Sequence, residues 1–293
     1  MKTSMELDKA ITTEKNAVVP STLYLVATPI GNMADLSPRA IKILSEVDFI
    51  AAEDTRNTQK LLNILEIHNQ TISYYEHNKA QKGQIIIDRL KRGESCALVS
   101  DAGTPAISDP GEDIVKLCYE NDIHVTSVPG CCAAITALTL SGLSTRRFAF
   151  EGFLPYPKKE RKEKLNELKE LTYTLILYEA PHKLLGTLSD LLEALSDRKI
   201  AICREITKLN EEIIRCTLSE AVTLYNDKSP RGEYVLIIEG KTSAKLDDEF
   251  SRLSIEQHVQ LYIDQGMTKM DAIKKVAKER ALPKNEVYSI ICK

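Results

Sequence analysis

Between Thr22 and Gly142, short apolar runs alternate with stretches whose apolar residues recur at helical spacing. This alternation limits the fold more than any single motif does. Strands joined by helical crossovers assemble into a mostly parallel sheet with helices on both faces. Thr22 to Ala27 is expected as the first strand and Thr28-Pro29-Ile30-Gly31-Asn32 as its turn. Ser37-Pro38 offers a capping hydroxyl and a first-turn proline, and Ala40, Ile41, Leu44 and Val47 keep helical spacing. Phe49 to Ala52 reads as a second strand running into Glu53-Asp54-Thr55-Arg56-Asn57-Thr58, with a helix through Leu61, Leu62 and Leu65 behind it. Ile72 to Tyr75 is expected as a short strand, Glu76 to Lys79 as a polar loop, and Ile85 to Leu90 as a helix stopped by Arg92-Gly93. Val125 to Val128 is another strand, followed by Pro129-Gly130 and a small-residue helix from Cys131 to Ser141.

The stretch from Leu98 to Gly111 stands out within this pattern. The apolar run Cys96 to Val99 breaks into a loop with two Gly, two Pro and two Asp, and a helix pattern follows with Ile114, Val115 and Cys118. Ordinary connectors of this kind take about two to six residues. Glycine lets backbone approach a ligand and proline fixes the loop beforehand, so this loop is expected to bind a ligand at the carboxyl edge of the sheet. Asp101 can hold a ribose diol or an ammonium there, or cap its own turn.

The pattern shifts around residues 143–150. Phe148 to Leu154 is strand-like and Pro155-Tyr156-Pro157 interrupts it. Tyr173 to Tyr178, Ile200 to Arg204, Glu212 to Cys216 and Tyr234 to Ile238 read as strands, with helices near 182–195 and 218–226. The expected division is a loose tail over 1–20, an α/β domain over 21–145, a second over 146–242, and a helical segment over 243–293. Helices are expected there from Ser254, around Met270, Ile273 and Val276, and around Val287 and Ile291. No internal repeat or low-complexity tract interrupts the chain.

A net charge of -3 argues against a uniformly basic nucleic-acid surface, so any RNA contact must come from a local patch. The seven cysteines form no CxxC and have no paired His ligands. They read as small core residues of a reduced compartment, with no metal site. No run approaches the roughly 20 apolar residues of a membrane span, and the polar first nineteen residues lack a signal peptide's apolar core. A soluble, cytoplasmic protein is expected. Neither a Walker phosphate loop nor a GxGxxG motif occurs. Four loops are expected at one sheet edge: Pro29-Ile30-Gly31, Glu53 to Thr58, Asp101 to Gly111, and Pro129 to Ala134. They offer backbone groups and carboxylates without a phosphate-binding lysine, which suits an uncharged or cationic nucleoside better than a triphosphate.

Several segments together carry a resemblance: Ala27 to Asn32, Ala51 to Arg56, Leu98 to Gly111, Val128 to Leu138, Glu151 to Pro155, Tyr178 to His182, Arg204 to Lys208, and Arg231 to Leu236. In this order the chain resembles the tetrapyrrole-methylase-fold (class III) S-adenosylmethionine methyltransferases. Within them it resembles the branch that methylates cytidine ribose 2′-oxygens of small-subunit (16S) ribosomal RNA. The C-terminal helices resemble, more weakly, that branch's helix-turn-helix-like appendage. The resemblance implies two α/β domains with S-adenosylmethionine in the cleft between them, a homodimer, and 16S ribosomal RNA or the small ribosomal subunit as partner. Cofactor contacts are expected at Pro29 and Gly31, and the resemblance implies them at Asp101, Gly103, Pro105, Ile107 and Ser108, at Cys132, Ala133 and Ala134, and at Tyr178 and Glu179. Pro29 and Gly31 stand where the tetrapyrrole enzymes carry a glycine-proline-rich loop, a departure that fits a substrate other than a porphyrin-like ring.

Transfer to a ribose hydroxyl is an in-line displacement. Positioning two bound reactants supplies up to roughly 7–11 kcal/mol of its barrier, and a base that takes the hydroxyl proton adds about 10²–10⁴-fold. Asp54, Glu179, His182 and Glu205 are the candidate bases. The plainer roles open to them are a helix cap for Asp54, a helix start for His182, and ion pairs with a neighbour such as Arg204 for Glu179 and Glu205. Arg56, Lys158, Lys159, Arg161, Lys162, Lys183 and Lys208 are candidates for phosphate contacts. With two glutamates interspersed, Lys158 to Lys164 is equally a solvated helix face. Two other functions stay open: methylation of a tetrapyrrole or a modified protein side chain, and RNA or nucleoside binding without turnover.

Overall fold

The computed structural model describes residues 16–241, 253–280 and 282–291. Most of the expected N-terminal tail, the linker after Lys241 and Cys292 lie outside the described residues. The chain divides into two compact units, one reaching Glu239 and the other starting at Gly240.

The first unit holds two five-stranded sheets. Strands β1 (Thr22–Val26), β2 (Phe49–Ala52), β3 (Thr71–Ser73), β4 (Cys96–Val99) and β5 (His124–Val128) form the first in the order β3-β2-β4-β1-β5. Every pairing in it is parallel. The four-residue runs of β2 and β4 are buried throughout, the mark of a sheet covered on both faces. Alternate residues feed opposite cores. Tyr24, Val26, Ile50, Ala97 and Val99 meet helices α1 (Pro38–Glu46) and α2 (Thr55–Ile64). Leu23, Phe49, Ala51, Cys96 and Leu98 meet α3 (Lys79–Lys91) and α4 (Gly111–Glu120). Ser37 caps α1 through the Ala40 N–H as its sequence implies. Helix α3 begins at Lys79, earlier than the apolar run Ile85 to Leu90 suggests, because Asn78 ends the preceding turn and Lys79 pairs with Asp113 of α4.

Helix α5 (Ala133–Ser141) leaves the first sheet and packs on the second. Its small residues let it lie close against Ile176, Ala201, Cys203, Val235 and Ile237. The second sheet joins β6 (Phe148–Gly152), β7 (Thr174–Glu179), β8 (Lys199–Arg204), β9 (Glu212–Thr217) and β10 (Tyr234–Ile238) in the order β6-β7-β10-β8-β9. Only β6 and β7 are parallel; the other neighbours run antiparallel. Its other face buries Leu175, Leu177, Leu236 and Ile238 against α6 (Lys158–Lys169), α7 (Leu184–Leu195) and α8 (Leu218–Asp227).

In the second unit α9 (Ile255–Asp264), α10 (Lys269–Glu279) and α11 (Lys284–Ile291) enclose Val259, Tyr262, Ile273, Val276 and Val287. Ser254 with Gln257 forms a capping box at α9, and Thr268 caps α10. Among the described residues no helix is long and apolar enough to cross a membrane.

Candidate functional site

Because the first sheet is wholly parallel, the turns after β1, β2, β4 and β5 emerge at one edge. The strand order reverses between β4 and β1, where open α/β sheets bind ligands. There Thr28 N–H donates to Gly103 O at 2.9 Å and Gly103 N–H to Thr28 O at 3.1 Å. Thr104 Oγ1 donates to Cys131 O at 2.8 Å, tying in the turn after β5. The Asp101 N–H approaches Glu53 Oε2 at 3.4 Å, tying in the turn after β2. The four loops expected at one edge are thus joined to one another.

Asp109 shapes the central loop from within. Its carboxylate accepts from the N–H groups of Ala106 at 2.9 Å, Gly111 at 2.8 Å and Ile107 at 3.3 Å. Ala106 (φ 68°) and Ser108 (φ 63°) occupy the left-handed region beside it, an arrangement of about 1–3 kcal/mol strain per residue that the clamp sustains. The internal capping role open to Asp101 is taken by Asp109, and Asp101 is exposed.

The second sheet closes the other side. The carboxyl ends of β7 and β8 and the start of β10 face the edge of the first sheet across a cleft of about 480 Å³. Ile30, Ala102 and Ala133 line one wall, and Tyr178, Ile206 and Val235 the other. Phe150 and Phe153 stand edge-on to Tyr178, with ring centroids 5.0 and 5.7 Å away. At the cleft's polar end Lys208 Nζ donates to Glu205 Oε1 and to Glu233 Oε2, each at 2.9 Å. Glu205 also accepts the Glu233 N–H at 3.0 Å. Burial opposes ionisation of Glu205, but these donors outweigh it and hold its carboxyl below the usual range. Gly232 (φ +83°) leaves room that a Cβ would take from Glu205.

This is a large, mostly apolar cleft at a topological switch point, with a backbone-rich wall and an acidic end. The family described as Tetrapyrrole (Corrin/Porphyrin) Methylases matches residues 22–222. The chain belongs to this family. Among tetrapyrrole methylases it is similar to the protein named Ribosomal RNA small subunit methyltransferase I of Halalkalibacterium halodurans, 50% identical over 271 residues that span 92% of this chain and 94% of the relative. The protein of the same name from Bacillus subtilis is 49% identical over 269 residues, 91% of this chain and 92% of the relative. Two solved structures share the fold at lower identity. Uroporphyrin-III C-methyltransferase from Thermus thermophilus, complexed with S-adenyl homocysteine, has a TM-score of 0.55 at 17% identity and covers 74% of this chain and 97% of that one. Diphthine synthase has a TM-score of 0.57 at 12% identity and covers 75% and 90%.

In this tetrapyrrole methylase the residues singled out in the sequence fall into three groups. Ala133, Tyr178, Glu179, His182, Glu205 and Lys208 line the cleft. Gly103, Pro105, Ile107 and Ser108 belong to the central loop, with Ser108 Oγ lying against Gly152 of the second sheet, and Cys132 and Ala134 to the start of α5 beside Ala133. Pro29, Gly31 and Asp101 border a smaller hollow beside the cleft, although Gly31 also lies against Lys208 of the cleft.

The candidate bases differ in how far their oxygens are engaged. Glu179 is 5% exposed and accepts from the Thr187 hydroxyl and, at 2.8 Å, from the Ala180 N–H. Arg161 donates to that Thr187 hydroxyl at 2.8 Å. Asp54 caps α2 through the Arg56 N–H at 2.8 Å and receives the Arg56 guanidinium, which lowers its pKa to about 2. His182 lies in the short turn before α7, at the cleft wall. Glu205 pairs with Lys208, not with Arg204, whose Nη1 reaches Glu212 at 3.4 Å.

Lys158, Lys159, Arg161 and Lys162 sit on α6, against the face of the second sheet that turns away from the cleft. Arg161 is held there by Asp190 at 2.6 Å. Lys183 stands nearer the cleft, its ammonium 5.2 Å from the Tyr156 ring. Arg56 is 85% exposed at the start of α2.

Sequence reasoning overlooked Glu53, whose carboxyl is raised above its ordinary range, first by burial and then by the Asp101, Asp109 and Asp54 charges. Its position directly after the fully apolar Phe49 to Ala52 was the available signal. Phe153 and Asp109 were overlooked as well. Their roles depend on neighbours brought in by the fold.

Proposed function

We propose that the protein is an S-adenosylmethionine-dependent methyltransferase acting on small-subunit ribosomal RNA, and that the acceptor is the 2′-hydroxyl of a cytidine ribose in 16S RNA. The observation that carries this reading is the identity of about half the residues, over nine-tenths of both chains, with proteins named for methylating that RNA.

The cleft suits the cofactor. Tyr178, Phe153, Ile206 and Val235 offer apolar and aromatic surface for a nucleoside and exclude water from it. Among the described residues the one ammonium lining the cleft, that of Lys208, is engaged by two carboxylates. That end of the site therefore favours a cation over a phosphate chain. Bound there, the cofactor supplies a methyl group on a positively charged sulfur. The chain's part is to fix the ribose oxygen in line with that methyl and to remove the hydroxyl proton. Among the cleft carboxylates Glu179 and Glu205 are both occupied by donors, so His182 is the least engaged group on the cleft wall and the favoured base.

Arg56, Lys183 and the C-terminal helices supply the RNA contacts of an otherwise acidic chain. The enzyme works in the cytoplasm, as its cysteine usage suggests, and as a homodimer, as the sequence resemblance implies. Incubation with methyl-labelled cofactor and unmodified small ribosomal subunits, followed by nuclease digestion, tests the reading. Label in 2′-O-methylcytidine is expected. Label on a base, a protein or a tetrapyrrole, with none on ribose, excludes it.

A further inference from the structure

Beside the cleft lies a second hollow of about 200 Å³, with Thr28 of the Thr28–Gly103 bridge in its wall. It is bounded by Thr28 and Pro29 after β1, by Ser100 and Asp101 after β4, and by one side of α2. We propose that this hollow receives the base of the acceptor nucleotide, turned out of its RNA, while the larger cleft serves the methyl donor. The assignment rests on the ribosomal RNA reading above and adds to it a site for the acceptor.

Four observations lead to it. The volume falls short of the roughly 300–1,000 Å³ of a pocket for a whole small ligand, so it admits one ring system and leaves sugar and phosphate outside. Its walls pair apolar surface, from Met33, Leu61 and Ile64, with hydrogen-bonding groups at Thr28, Asn57 and Asp101. Enzymes that take a base out of its stack read it in this way, by packing its faces and hydrogen-bonding its edge. Thr28 is 4% exposed and its Oγ1 has no hydrogen-bond partner among the described residues; it is covered as it stands, and a turn about the Thr28 Cα–Cβ bond brings it to a ligand in the hollow. A buried hydroxyl left unpaired is a costly arrangement that a ligand relieves.

The surrounding charge supplies the fourth observation. Glu53, Asp54 and Asp101 gather at this edge, and the neighbouring guanidinium of Arg56 is already bound to Asp54. Carboxylates repel a phosphate and accept hydrogen bonds from an exocyclic amino group. The hollow thus favours a base edge that includes such a donor. Arg56 starts the same helix but lines a separate hollow with Gln59 and Lys60, largely in solvent, where it can meet a more distant phosphate of the RNA. The two hollows share the loops after β1 and β4, with Ile30 and Ala102 on one side and Pro29 and Asp101 on the other. Donor and acceptor therefore approach across the same pair of loops.

The test is methyl transfer to unmodified small ribosomal subunits by the full-length protein, with cofactor affinity measured separately by calorimetry. Thr28→Val removes the hydroxyl and keeps the shape. It should lower kcat/KM for the subunit at least tenfold while cofactor affinity stays within twofold, and Thr28→Ser should restore most of the activity. Asn57→Leu, at an exposed helical position that folding tolerates, should show the same separation and decides the matter if the valine variant does not fold. Variants as active as wild type would overturn the assignment. So would an equal loss of cofactor affinity, which would give the hollow to the cofactor. Wild-type protein that transfers nothing would remove the ribosomal RNA reading, and the assignment with it.

Discussion

Gly31 and Lys208 touch across the two sheets of the first unit. A Cβ at Gly31 would collide with Lys208 Cγ and stand 2.9 Å from Thr207 Oγ1. The turn after β1 therefore rests on the side chain whose ammonium joins Glu205 to Glu233. Gly31→Ala must displace Lys208 and loosen both bonds. The expected loss of stability is about 0.5–1.5 kcal/mol, with a severalfold weaker cofactor affinity because the polar end of the cleft moves. Melting and calorimetry check the two effects, and wild-type values in both would show that the contact is idle.

Asp109 holds three N–H groups of the central loop with one carboxylate. Asp109→Ala leaves the left-handed Ala106 and Ser108 without that support. The loop should relax, with cofactor affinity falling tenfold or more, and Asp109→Asn should retain part of it. Calorimetry on both variants checks this; equal affinities for wild type and the alanine variant would contradict it.

These two relationships show what was legible in the sequence. The alternation of strands and helices and the turn after β4 were readable because period, glycine and proline act locally. That Asp109, not Asp101, clamps the loop was not readable, since both are aspartates in one turn-rich segment. The mixed order of the second sheet was equally hidden. Strand β10 inserts between β7 and β8 through pairings far apart in sequence. Helix α5 follows β5 in the chain yet buries Ala134, Ala137 and Leu138 against the second sheet, a choice its weakly amphipathic sequence, with Thr136, Thr139 and Ser141 among small and apolar residues, does not reveal. At the site, Asp54 was singled out and its neighbour Glu53 was not. The burial and Asp101 that distinguish Glu53 become visible only after folding.

Glu53 makes stability depend on pH in the direction opposite to a paired carboxylate. Its folded pKa is raised, first by burial and then by Asp101, so the native state binds the proton more tightly than the unfolded chain does. The associated stability is fully present below the ordinary glutamate value near 4.5 and is lost as pH rises through the folded value. Glu53→Gln should thus be more stable than wild type at pH 8, with the difference shrinking towards pH 4. Urea unfolding at the two pH values measures it, and a difference that grows on acidification would contradict the sign.

Arg56 is expected to act on RNA alone. Its guanidinium is mostly in solvent beside Asp54, so Arg56→Ala should leave stability and cofactor affinity nearly unchanged. Activity on the ribosomal subunit should fall, and the salt dependence of RNA binding should lose about one unit of slope. Filter binding over a salt series would detect an unchanged slope, which would place Arg56 outside the RNA interface.

The central claim, that this tetrapyrrole methylase modifies a ribose of small-subunit ribosomal RNA, is tested most directly in the cell. Small-subunit RNA from cells with and without the protein is digested to nucleosides and compared by mass spectrometry. The account predicts that one 2′-O-methylated cytidine present in the first sample is missing from the second and returns when the protein is supplied again. Identical ribose methylation in the two samples would contradict it.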